Sequence, residues 1–169
     1  MKAFGRTDTG RVRSSNQDAF VSGYLPGGGV FAVVCDGMGG ASGGNVASAL
    51  GIKVISDRLL EVYRENMPAN SIHNLLESAI AAANVESFDT AMADNDLRGM
   101  GTTVVAVLIT EGKVHIAHVG DSRAYLLTED RMEQITRDHS IVQSMVEKGQ
   151  LTPDEAKNHP RKHFITRAL

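Results

Sequence analysis

The chain of 169 residues is 42% hydrophobic and 22% charged, which sets a prior of one soluble globular domain with a core of real size. Its formal net charge of −3 gives no electrostatic basis for binding nucleic acid or an anionic membrane, and a single cysteine excludes an internal disulfide framework and fits a reducing cytoplasm. The opening MKAFGRTDTGRVRSSNQD has no apolar signal segment, and no apolar run is long enough to span a bilayer.

In chain order, Lys2–Thr9 reads as a weakly alternating edge strand and Gly10–Asn16 as a polar loop carrying Arg11 and Arg13. Asp18–Tyr24 reads as a strand, Pro26-Gly27-Gly28-Gly29 as a turn and Val30–Cys35 as a buried strand. A glycine-rich loop leads into a helix from about Gly44 to Glu65, with Ala47, Leu50, Val54, Ile55, Leu59 and Val62 as its apolar face. Pro68 separates it from a second helix, Ser71 to about Met92, in which Ile72, Leu75, Leu76, Ala79, Ile80 and Ala83 recur at helical spacing.

The period then changes. Thr102–Thr110, Lys113–Val119, Ser122–Thr128 and Arg131–Ile135 read as strands, with turns at Glu111-Gly112 and Glu129-Asp130. Thr136–Ser140 starts a helix that runs through Gly149, with Asp138 and Ser140 as candidate caps. Thr152-Pro153-Asp154-Glu155 is a capping box with proline at the first helical position. Strands, two long helices and more strands make an α+β fold with helices packed on a mainly antiparallel sheet.

The organising stretch is Val30–Ser48. Its apolar strand stops on Asp36-Gly37, four more glycines follow, and a helix begins. A carboxylate at the mouth of a buried strand suits a hard cation, and Gly37 lets its own carbonyl approach the same ion. Two other phosphate chemistries are excluded. No lysine directly follows Gly44, as a P-loop requires, and the loop just after Cys35 lacks the arginine that a cysteine-nucleophile phosphatase requires. Cys35 reads as a buried small hydrophobe.

Three further stretches sharpen the pattern. Arg13-Ser14-Ser15-Asn16-Gln17-Asp18 sets a guanidinium five residues before a carboxylate, Gly101-Thr102-Thr103 opens the most apolar strand, and Gly120-Asp121-Ser122-Arg123 puts an aspartate in a tight turn. If Asp18, Asp36 and Asp121 share one end of the sheet, they form an oxygen-rich pocket for Mg²⁺ or Mn²⁺ beside Arg13, whose planar fork binds phosphate oxygens. Singly, each aspartate is more often a turn former, as Asp8 and Asp130 read, and Arg123 equally suits a surface pair. His115 and His118, three apart on a strand, face opposite ways and make a poor metal pair. His159 and His163 flank Arg161 and Lys162 in a basic patch that reads as a solvated loop or a phosphopeptide contact.

Together these stretches resemble the bacterial form of the PPM (type-2C) metal-dependent serine/threonine protein phosphatases. The matching pieces are R13SSNQD18, V34CDGMGGASGGNVAS48, G99MGTT103, V119GDSRAYL126, T136RDHS140 and H159PRKHFITRAL169, in the family's order. The resemblance implies a four-layer α-β-β-α sandwich, two antiparallel sheets flanked by helix pairs, spanning residues 1–169 as one domain. It implies hydrolysis of phosphoserine or phosphothreonine in proteins by a water bridging two Mn²⁺ or Mg²⁺ ions. A non-catalytic module that binds metal or a phosphoprotein is the alternative reading.

By position, Arg13 resembles the phosphate-binding arginine, Asp36 the metal-bridging carboxylate and Gly37 the carbonyl ligand. Asp18 resembles the residue that holds metal-bound water, and Asp121 a ligand of a third, weaker metal. Met38 stands where some relatives have a histidine proposed as general acid, and Glu155–Phe164 matches a substrate-facing flap. Family members continue past the position of Leu169 with more strands and two more metal-binding aspartates, so a C-terminally truncated member with weak metal binding is expected. Phosphoproteins, a cognate serine/threonine kinase and its substrates are the implied partners, without nucleic acid or membrane, for a cytoplasmic protein that is monomeric when complete.

Overall fold

The computed structural model describes the backbone of residues 1–169 and every side chain except those of Ala41 and Ser42. Two strands, β1 (Asp18–Leu25) and β2 (Gly29–Met38), form an antiparallel hairpin around the turn at Pro26–Gly28. A short β3 (Gly101–Thr102) pairs with the end of β2, and β4 (Val104–Thr110) and β5 (Lys113–Val119) complete a five-stranded antiparallel sheet in the order β1-β2-β4-β5. Two long helices, α1 (Gly40–Val62) and α2 (Ala69–Ala93), lie between β2 and β3 in the chain. A two-stranded sheet, β6 (Tyr125–Leu127) with β7 (Met132–Gln134), and short helices α3 (Ile141–Glu147) and α4 (Pro153–Asn158) follow.

The alternation of β2 explains where the core lies. Phe31, Val33 and Cys35 point to one face and are buried with Val104, Ala106 and Leu108 of β4. Against them pack Ile55, Leu59 and Tyr63 from the first helical segment and Ile72, Leu75, Leu76, Ala79 and Ala83 from α2. Each large side chain buried this way contributes about 1.5–3 kcal/mol, so the sheet and both helices share one apolar layer. The opposite face of the hairpin carries Phe20 and Val34, which remain exposed.

Several elements differ from the expectation. Lys2–Thr9 is not a strand; its residues are exposed and its alternation supplies no buried face. Asp8 does act as a turn former, accepting the Gly10 N–H at 2.8 Å. The first helix starts at Gly40, not Gly44, and stops at Val62, whose side chain is exposed while Tyr63 is buried in its place. Tyr63 packs there because its hydroxyl finds Thr110 Oγ1 at 2.8 Å. The Thr102–Thr110 strand is interrupted at Thr103, and Ser122–Thr128 shortens to Tyr125–Leu127, because Thr103 and Ser122 turn their hydroxyls to each other at 2.6 Å. Ser140 caps α3 as expected, accepting from Gln143 N–H at 3.2 Å. Asp138 is not a cap; it pairs with Arg123, so Arg123 is the surface pair that its strand position suited. The Thr152–Glu155 capping box forms as expected.

Candidate active site

The hairpin register makes the site. Asp18 and Asp36 are paired residues across β1 and β2, so both carboxylates stand on the same face at the same end of the sheet. Pairing two like charges costs energy unless something offsets them. The effect is visible in Asp36, whose carboxyl is pushed up to about 6 by burial first, then by the charge and hydrogen bond of Asp18 and by the charge of Asp121. Arg13 pulls the other way, which places its guanidinium within electrostatic reach of the same carboxylate.

Backbone contacts lock Asp36. Its N–H donates to Thr103 Oγ1 at 3.0 Å, and Thr103 N–H donates back to the Asp36 carbonyl at 2.9 Å. Gly37 N–H donates to the Gln17 carbonyl at 3.1 Å, and Gln17 Nε2 donates to the Gly40 carbonyl at 2.8 Å. The Arg13–Asp18 loop is thereby tied to both the end of β2 and the start of α1. No side chain fits at residue 37: a Cβ there would stand 2.0 Å from the Gly44 carbonyl oxygen and 2.7 Å from that of Gln17. Residue 120 needs glycine for a second reason, a φ of +102° in the turn that presents Asp121.

An open cleft of ≈ 650 Å³ collects these groups, with Arg13, Asp36, Gly37, Met38, Asp121 and His163 on its walls. Asp18 opens instead on an adjoining hollow that it shares with Asp36 and Ser122. Thus Arg13, Asp36, Gly37 and Asp121 share one cleft, and Asp18 joins them through its pairing with Asp36. Thr103, Gln17 and His163 also line the cleft, beyond the residues that type and spacing nominate. Thr103 had a signal in the Gly101-Thr102-Thr103 opening of its strand, and His163 had one in the basic patch with Arg161 and Lys162 and in the Glu155–Phe164 flap segment. Cys35 is fully buried with its thiol pushed up to about 12, which removes it as a nucleophile.

Among the described residues, no three His, Cys, Asp or Glu side chains form a ready-made metal cage. The donors present nonetheless suit a hard divalent cation: they are all oxygens, and a cation would offset both the burial and the like charges of Asp18 and Asp121 that raise the Asp36 carboxyl. A pH dependence follows, with the sign fixed by the raised pKa. Below about pH 6 the folded protein holds a proton on Asp36 that a cation must displace; above it the carboxylate is already free. Mn²⁺ binding at pH 5 is therefore expected to release more protons than at pH 7.5, measurable by calorimetry in buffers of different ionisation enthalpy. Equal release at both pH values would show that Asp36 takes no part.

An oxygen-lined cleft beside an arginine, at the end of a helix-flanked antiparallel sheet, has groups able to take a divalent cation and a phosphate oxygen. The family model described as Protein phosphatase 2C matches residues 8–161, and the chain belongs to that family. It is 41% identical to the serine/threonine phosphatase stp of Listeria innocua, over all of this chain and 67% of that protein. Its fold superposes on Stp1 from Staphylococcus aureus with a TM-score of 0.90 and 39% identity, covering 97% of this chain and 64% of that one. The catalytic domain of PstP, crystallised with two manganese ions, gives a TM-score of 0.79 at 35% identity, covering 96% of this chain and 64% of that one. The chain thus spans about two thirds of the length of these relatives.

Proposed function

We propose that this protein hydrolyses phosphoserine and phosphothreonine esters in proteins with the help of Mn²⁺ or Mg²⁺. The observation that carries the reading is the Asp18–Asp36 pairing beside Arg13, within a chain of the protein phosphatase 2C family. Asp36 and the Gly37 carbonyl would hold the two cations, Asp18 would hold water bound to them, and Asp121 would serve a third, weaker site. Bound there, divalent cations supply Lewis acidity, lowering the pKa of a water and offsetting phosphate charge.

The chain's own groups have defined tasks. Arg13 reaches non-bridging phosphate oxygens through two parallel N–H donors, which orients the phosphorus over Asp36. Thr103 and Gln17 hold Asp36 and Gly37 in place through the hydrogen bonds described above. Met38 cannot transfer a proton, so protonation of the departing serine or threonine oxygen falls to another group. The substrates are phosphoproteins, among them the products of a serine/threonine kinase, met in the cytoplasm. No helix of the described residues is long and apolar enough to cross a membrane.

The test is release of phosphate from a phosphothreonine peptide with and without Mn²⁺, on wild type and Arg13→Lys. A point-charge ammonium cannot reproduce the guanidinium fork, so kcat/KM is expected to fall by roughly tenfold or more with an unchanged circular dichroism spectrum. Unchanged efficiency would remove Arg13 from phosphate binding. Cation binding without any turnover would favour the non-catalytic module.

A further inference from the structure

Away from the catalytic cleft, a small polar hollow of ≈ 290 Å³ lies between α3 and the segment at Thr166-Arg167. By volume it holds about ten waters, or a tetrahedral oxyanion with part of its hydration. Arg137, His139, Ser144, Glu147, Thr166 and Arg167 line it, together with Asp138. Both carboxylates are already engaged: Glu147 pairs with Arg137, and Asp138 takes three hydrogen bonds from Arg123, at 2.9, 3.1 and 2.6 Å. Arg167 makes no ion pair among the described residues.

The orientation of His139 adds a second donor. Its Nδ1 accepts the Gly120 N–H at 3.1 Å, so the ring proton resides on Nε2. That N–H has no protein acceptor among the described residues, and neither do the Ser144 and Thr166 hydroxyls. The ring cannot swing away, because it stacks on His118 with centroids 4.7 Å apart and planes 8° apart. Its backbone is pinned as well, by His139 N–H to the Gly120 carbonyl at 2.9 Å and Thr166 N–H to the His139 carbonyl at 2.8 Å. Fixed donors, one unpaired guanidinium and neutralised carboxylates leave the hollow electropositive. The depressed pKa of His139, caused by burial and then by the charges of His118, Arg167 and Arg137, agrees.

We propose that this hollow is a second oxyanion site, taking a phosphate-type group through Arg167, the His139 Nε2–H and the Ser144 and Thr166 hydroxyls. It is separate from the Arg13 cleft and does not depend on hydrolysis there. Because His139 also grips Gly120, the residue before Asp121, an occupant would stiffen the turn that presents Asp121 to the cleft.

The experiment follows the His139 imidazole signals by NMR in the metal-free full chain as inorganic phosphate is added. A saturable shift is expected in wild type and equally in Arg13→Gln, with apparent affinity reduced at least about tenfold in Arg167→Gln, which loses a charge-assisted donor. Circular dichroism on each variant checks that the fold persists, and Ser144→Ala, which removes one hydroxyl only, is expected to weaken binding by a smaller factor. A parallel titration with a phosphothreonine peptide separates the sources: a shift from peptide as well as phosphate identifies an esterified phosphoryl group, and a shift from phosphate alone identifies the free anion. Absence of any His139 shift, or a shift lost in Arg13→Gln and retained in Arg167→Gln, would overturn the proposal.

Discussion

Asp36→Asn is expected to weaken Mn²⁺ binding by roughly a hundredfold or more, because even residues that only support a ligand typically cost 10–100-fold when removed. A neutral amide keeps the shape and the backbone bonds to Thr103 but cannot balance a divalent charge. Turnover should vanish with the affinity. The same change should act oppositely on the metal-free fold. The Asp36 carboxyl is raised to about 6, so ionising it disfavours the folded state: stability falls as pH climbs from about 4 to about 6 and stays low above that. Removing the charge should therefore raise Tm in EDTA at pH 7.5 and leave it nearly unchanged at pH 4. Calorimetric Mn²⁺ titration and thermal melts at the two pH values measure both halves. Wild-type affinity, or a lower Tm at pH 7.5, would show that Asp36 serves only the turn.

Gly37→Ala has the largest expected effect on the fold. The added methyl would overlap the Gly44 carbonyl oxygen at 2.0 Å and the Gln17 carbonyl oxygen at 2.7 Å. Both obstacles are main-chain atoms, so neither can rotate aside as the tip of a side chain would. Relief requires the start of α1 to move away from β2, at a cost of about 3 kcal/mol, the upper end of ordinary overpacking. For a domain of this size that lowers Tm by about 6–12 °C. The shift should also loosen Asp36, one residue away, so cation affinity should drop alongside Tm. A melt within about 1 °C of wild type would mean that the close approach is not a constraint.

What could be read in advance follows from locality. Helical spacing in Ile72–Ala83 and the capping box at Thr152–Glu155 are local signals, and both elements formed where the pattern put them. The hairpin was also legible, since Pro26–Gly29 separates two apolar runs. The start of α1 was not. Gly40, Gly43 and Gly44 argue against a helix by propensity, yet the fold calls for them: Gly40 has a φ of +68°, Gly43 abuts Met100, and Gly44 abuts Gln17 and Gly37. The break at Thr103 was equally hidden, because its cause, a hydroxyl shared between Asp36 N–H and Ser122, comes from residues distant in sequence. Arg13, Asp36, Gly37 and Asp121 could be nominated from type and spacing. Their convergence on one cleft, and the presence of His163 there, needed the folded chain.

The β1–β2 ladder has a consequence for how the chain tolerates change in length. The register runs from Leu25 opposite Gly29 beside the turn to Asp18 opposite Asp36 at the cleft, about 23 Å of strand apart. Every residue between them is counted in pairs. One residue inserted into or deleted from either strand, unless absorbed by a bulge, exchanges the two faces and sends one carboxylate to the helix side while the other stays. The loops outside this ladder can lengthen without disturbing that count. The distance along the hairpin thus behaves like a ruler, and a surface turn that touches none of the cleft groups sets which of them can meet.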